Sequence, residues 1–93
     1  LHQETLPPGG VYAVWGALGR RRLKGVLHLG ARPTFREKDR SIEVHFIDYE
    51  GRLYGREIEL EIMAWLRPIR RFSSPEALKA AIRNDILKAQ KIL

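Results

Sequence analysis

Between Glu57 and Ile62 acids and aliphatics alternate without exception, in the order Glu57-Ile58-Glu59-Leu60-Glu61-Ile62. On a helix this order would spread both residue types around the whole circumference. On a strand successive side chains point to opposite faces, so the same order gives one apolar and one charged face. Residues 56–66 are therefore expected to form a strand that buries Ile58, Leu60 and Ile62 on one side. From residue 73 the period changes. Leu78, Ile82, Ile86 and Ala89 recur three or four residues apart, with Ala77 and Ala81 beside them. That spacing predicts one amphipathic helix packed on the sheet by a single stripe. Ser73 with Glu76 three residues on fits a capping box, and Pro75 falls in the first turn, where its missing N–H costs nothing.

The rest of the chain adds three more strands. "LPPGG" is a stiff, turn-rich entry that cannot continue a helix. "VYAVWGAL", residues 11–18, is rich in β-branched and aromatic residues and reads as a buried strand. Gly19 with Arg20 to Arg22 makes a basic turn, and "LKGVLHLG", residues 23–30, returns as the second arm of a hairpin. "ARPTFREKDRS" is polar, charged and proline-broken, a loop of a length that often serves function. Ile42, Val44 and Phe46 alternate along a third strand, 42–48, and "YEGRLYG" turns the chain into the fourth. The fold class is thus mainly β, four antiparallel strands followed by one C-terminal helix, with an unpaired sheet edge. No internal repeat or low-complexity tract interrupts it.

Ninety-three residues, 44% hydrophobic and 30% charged, make one small globular domain with a single modest core. Cysteine is absent, so neither disulfides nor thiolate metal sites support it. No apolar stretch approaches the roughly 20 residues of a membrane span. The N-terminus lacks the basic and apolar regions of a secretory signal, so a cytoplasmic protein without membrane contact is expected. The first residue is Leu1 rather than Met, as in a fragment or a processed chain. Seventeen Lys and Arg against eleven Asp and Glu give a net charge of +6, which favours anionic partners: nucleic acid, acidic headgroups or nucleotide phosphates.

Two stretches could carry chemistry. Glu43 and His45 share the face of the third strand opposite Ile42, Val44 and Phe46, ~7 Å apart along the chain. Either they decorate a wet face, or Glu43 is a general base held on a rigid strand to take a proton from a hydroxyl. In "LRPIRRF" three arginines fall within five residues. An arginine fork suits phosphate, Phe72 offers an aromatic face, and the following helix N-terminus favours an anion, whereas the plain alternative is a solvated charge run. "GARPTF" lacks the Gly-Lys-Ser/Thr ending of a phosphate loop, so Gly30, Pro33 and Thr34 read as turn formers. Three widely separated histidines offer no metal-ligand spacing, and His28 is expected to be structural. Tyr54-Gly55 reads as a turn, and Trp15 and Trp65 as core. Residue chemistry alone stops at a small basic β-rich domain that binds an anionic ligand, either a nucleotide-using enzyme or an RNA-binding barrel.

Taken in order, "GVYAV", "GVLHLGARPTF", "IEVHFIDYEGRLYG", "LRPIRRF" and "SPEALKAAIRNDILKA" resemble the riboflavin kinase (flavokinase) domain, from about Leu6 to Leu93. In bacteria that domain is usually the C-terminal half of a bifunctional riboflavin kinase and FAD synthetase. The resemblance implies a riboflavin-kinase-like antiparallel β-barrel of six strands, with the first strand expected to be missing here, and a preceding FMN adenylyltransferase domain in the parent chain. It implies ATP and Mg²⁺ as cofactors, riboflavin as substrate and FMN as product. By the same resemblance Glu43 is the catalytic base, Phe46, Asp48 and Tyr54 line the nucleotide pocket, and Arg67, Arg70 and Phe72 cover the flavin. No metal ligand is assigned, because the Gly-x-Pro-Thr-Ala-Asn motif that the family places before the "GVYAV" strand is not in the sequence. Two expectations follow from that departure. The 93 residues alone are inactive, and their open sheet edge is capped by self-association. The competing RNA-binding barrel predicts salt-sensitive affinity without flavin selectivity.

Overall fold

The computed structural model describes residues 7–30, 41–51, 53 and 55–93. Strands β1 (Gly10–Leu18), β2 (Arg21–Leu29), β3 (Ile42–Phe46) and β4 (Glu59–Arg67) precede one helix, α1 (Pro75–Ile92). They form a single antiparallel sheet in the order β3-β2-β1-β4. Among the described residues β3 and β4 are its edges, so the sheet is open rather than a closed barrel. The loop expected at 31–40, Pro33 and Thr34 included, lies outside the described residues.

β1 and β2 pair from Gly10↔Leu29 to Leu18↔Arg21, leaving Gly19 and Arg20 as a two-residue turn. Gly19 has φ 60°, while Arg20 stays out of the positive region, the type II′ arrangement that matches strand twist. β2 therefore begins two residues before the expected Leu23. β3 ends at Phe46, short of the expected Asp48, because Asp48 turns the chain with φ 58°.

Register sorts the sheet into two faces. Val11, Ala13, Val26 and Ile47 lie under α1 and pack with Ala89, joined by Ala64, Leu66 and Ile86. Tyr12, Val14, Leu27 and Leu29 form a second cluster on the opposite face. Each fully buried valine here is worth roughly 1.5–3 kcal/mol. Side chains from both flanks close over that second face. Phe46 lies against Gly16 and Gly25, Ile58 approaches Gly16, and Trp65 covers Gly10 while meeting Tyr12 edge-on at 5.4 Å between centroids. The Tyr12 hydroxyl donates to the Pro8 carbonyl at 2.6 Å, which satisfies the polar end of a buried ring.

β4 departs from its expected reading. It begins at Glu59 rather than residue 56, and Leu60, Ile62, Met63 and Trp65 are all exposed, so the alternation does not bury an aliphatic face. The cause is its edge position, with no neighbouring strand beyond it among the described residues. Trp65, expected in the core, is likewise half exposed. Two register shifts against β1, between Val11 and Tyr12 and between Ala13 and Val14, each insert one extra β4 residue. These bulges reset the alternation, so that Trp65 joins Tyr12 on one face and Arg67 joins Val11 under the helix.

α1 is capped by Ser74, whose hydroxyl accepts from the Ala77 amide at 3.1 Å, one residue later than the expected Ser73. Pro75 occupies the first turn as expected. The buried stripe is Ala81, Asp85 and Ala89, with Ile82 and Ile86 half-buried and Leu78 exposed. It is rotated about one residue from the aliphatic stripe expected from spacing.

Candidate active site

Pairing places Glu43 opposite His28, His28 opposite Val11, and Val11 opposite Arg67. These four residues form one row across all four strands on the helix side of the sheet. At one end Glu43, His45 and His28 join Leu78 and Ile82 of α1 around an open cleft of about 260 Å³. Glu43 is exposed there and has no ion-pair partner among the described residues. An unpaired carboxylate on a strand, facing a cleft, is placed to receive a proton from a bound hydroxyl. His45 lies beside it, two residues along the same strand.

His28 is half-buried between Glu43 and the helix. Its Nε2 is 3.9 Å from Asp85 Oδ2, too long for a hydrogen bond but close enough for charge to be felt. Burial, followed by the nearby Arg67 guanidinium, lowers its pKa from 6.5, against the opposing pull of Asp85 and Glu43. His28 is therefore neutral at neutral pH.

At the other end of the row, Arg67 closes a bidentate pair with Asp85: Nε donates to Oδ1 at 2.9 Å and Nη2 to Oδ2 at 2.8 Å. Asp85 is 1% exposed. Arg67 Nη1 also donates to the Pro68 carbonyl at 3.1 Å. Beyond the strand end, Phe72 meets two guanidinium groups, Arg67 at 5.7 Å and Arg70 at 4.9 Å from the ring centre. Arg67, Arg70 and Phe72 thus come together in space. Three strand spacings separate Arg67 from Glu43, ~14 Å, so the arginine cluster and Glu43 occupy opposite flanks of α1.

The residues considered for a nucleotide are arranged differently. Phe46 points to the face opposite Glu43, its ring against Gly16 and Gly25. Phe46 and the exposed Asp48 line a shallow hollow with His45, Tyr49 and Glu50. Tyr54 lies outside the described residues. Among the described residues no group of three or more His, Cys, Asp or Glu could hold a metal ion.

Asp85 is the residue that sequence spacing missed. The available signal was an acid standing four residues from both Ala81 and Ala89, on a helix stripe that otherwise holds small side chains. Trp15 is also unlike the expected core residue. It is half-buried on the helix-side face, with Arg22 at 4.5 Å and Lys24 at 5.8 Å from its ring.

A family model described as Flavokinase: Riboflavin kinase matches residues 1–93. The bifunctional riboflavin kinase/FMN adenylyltransferase of Escherichia coli is 39% identical over 92 residues, covering 98% of this chain and 29% of that protein. The bifunctional riboflavin kinase/FMN phosphatase of Arabidopsis thaliana is 39% identical over 88 residues, covering 92% of this chain and 23% of that protein. The chain spans less than a third of the length of these curated relatives. A crystal structure described as a macrolide-efflux protein from Streptococcus pneumoniae superposes with a TM-score of 0.82 at 23% identity, covering 91% of this chain and 28% of that one. That likeness concerns the fold alone. No helix among the described residues is long and apolar enough to cross a membrane.

Proposed function

Because this chain belongs to the riboflavin kinase family, we propose that the protein carrying it transfers the γ-phosphoryl group of ATP to the 5′-hydroxyl of riboflavin, releasing FMN and ADP. The observation that supports this reading best is Glu43, an unpaired carboxylate on a rigid strand at the mouth of a cleft. The ribityl oxygen attacks the γ-phosphorus and its proton passes to the Glu43 carboxylate. The new O–P bond forms as the bond to the departing ADP oxygen breaks. Phosphoryl transfer depends mainly on positioning and on neutralising spread negative charge, so one base and well-placed cations are the protein's share. The family resemblance assigns Arg67, Arg70 and Phe72 to the flavin ring and Phe46, Asp48 and Tyr54 to the nucleotide. Mg²⁺ bound with ATP would supply charge neutralisation to its phosphates, and no step here depends on a ligand set for it.

The parent protein is proposed to act in the cytoplasm, without a nucleic-acid or membrane partner. An FMN adenylyltransferase domain, as named in the Escherichia coli relative, is its proposed neighbour in the chain. The test is Glu43→Gln in the full natural polypeptide. Loss of a general base should lower kcat by about 10²- to 10⁴-fold, while riboflavin still quenches on binding. An unchanged kcat removes Glu43 from the chemistry. Absence of flavin binding by the wild type, together with RNA affinity that collapses with salt, would replace the kinase reading altogether.

A further inference from the structure

We propose that Asp85 is a positioning residue for flavin binding, which locks Arg67 so that Arg70 and Phe72 are presented to the ring. The inference rests on the kinase reading and divides the labour within its arginine cluster. Both Asp85 oxygens bind the Arg67 guanidinium, at 2.9 and 2.8 Å, with the carboxylate 1% exposed. A third Arg67 donor holds the Pro68 carbonyl at 3.1 Å. Most of the Arg67 fork is therefore committed to protein, and its charge is matched by Asp85. Arg70 differs. It is exposed, has no ion-pair partner among the described residues, and lies 4.9 Å from the Phe72 ring centre.

The consequence is geometric. Arg67 ends β4, and the connector 68–74 leads directly into α1, which carries Asp85. The bidentate pair ties the start of that connector to the helix that follows it. Both guanidinium groups lie within 5.7 Å of the Phe72 ring centre, so fixing Arg67 fixes one neighbour of that ring. Of the two guanidinium groups beside Phe72, Arg70 is then the one free to meet a ligand. A lysine in place of Arg67 would keep the charge but lose the planar fork that defines this arrangement.

Asp85→Asn in the full natural polypeptide tests the inference, with riboflavin and ATP titrated separately. The riboflavin KM should rise about 10- to 100-fold, as for a misplaced binding group, with the ATP KM within about two-fold of wild type. Arg67→Lys, which retains a cation against Asp85, should shift the riboflavin KM in the same direction. The double variant should be no worse than the weaker-binding single one, because both act through one contact. A purely structural role would instead move both KM values together, and that result overturns the inference. So does an unaltered riboflavin KM in either single variant. If wild-type protein binds no flavin, the functional reading falls and this inference falls with it. If wild type binds and Asp85→Asn binds equally, only the inference falls.

Discussion

A methyl group added at Gly16 would stand 2.5 Å from Phe46 Cε1 and 2.9 Å from its Cζ, closer than side-chain atoms pack. Two glycines on adjacent strands, Gly16 and Gly25, therefore make the seat for that ring. Gly16→Ala should destabilise the fold by about 1–3 kcal/mol through overpacking, and Phe46→Leu in the same chain should recover part of the loss. Chemical denaturation of the two variants checks this, and an unshifted midpoint for Gly16→Ala would contradict it. The alternation of Ile42, Val44 and Phe46 was legible, but the seat was not, since it depends on register among three strands. His28 carries a second prediction at this scale. Folding lowers its pKa below 6.5 through burial and Arg67, so the unfolded chain takes up the proton first as pH falls. The stability contributed by neutral His28 is complete above about pH 6.5 and declines from there as pH falls through the folded pKa. Groups facing it are Glu43 and His45 on β3, Arg67 on β4 and Asp85 on α1. His28→Gln should flatten the decline of the denaturation midpoint below that pH. Parallel pH curves for wild type and variant would exclude the effect.

At the scale of elements, hydrophobic period revealed what each segment is but not its phase. Four strands and one helix follow from alternation and four-residue spacing, whereas the rotation of α1 about its axis does not. Spacing favours Leu78, Ile82, Ile86 and Ala89, and of these only Ala89 is buried, while Ala81 joins it against the sheet, where small residues allow close approach. Asp85 is drawn inward with them and finds Arg67, whose position in turn depends on two bulges in β4. Bulges leave little trace in an alternating sequence, so the Glu43–His28–Val11–Arg67 row was not legible. The helix start gives a direct check. Ser74, not Ser73, accepts the Ala77 amide hydrogen. Ser74→Ala should therefore cost about 1 kcal/mol, and Ser73→Ala should stay within about 0.5 kcal/mol of wild type. Thermal unfolding of the pair decides between them, and the reverse ranking would restore the capping box at Ser73.

For the molecule as a whole, the open sheet is the feature with the widest consequence. β4 has no strand beyond it among the described residues, and its apolar side chains Leu60, Ile62, Met63 and Trp65 are 36 to 50% exposed. An edge of this kind combines unpaired backbone donors and acceptors with apolar surface, and both are relieved by pairing with another strand. The other edge is a poorer candidate. β3 is five residues long against nine in β4, and its helix-side positions are Glu43 and His45. The 93-residue chain is accordingly expected to associate through β4 as its concentration rises, with two copies of one edge paired about a two-fold axis. Met63→Lys places a charge on the bulged part of that edge and should shift association to higher concentration without altering the β1–β2 hairpin. Sedimentation over a wide concentration range reads both chains. A wild type that stays monomeric throughout rules out association by this edge, and equal association by Met63→Lys locates the contact elsewhere.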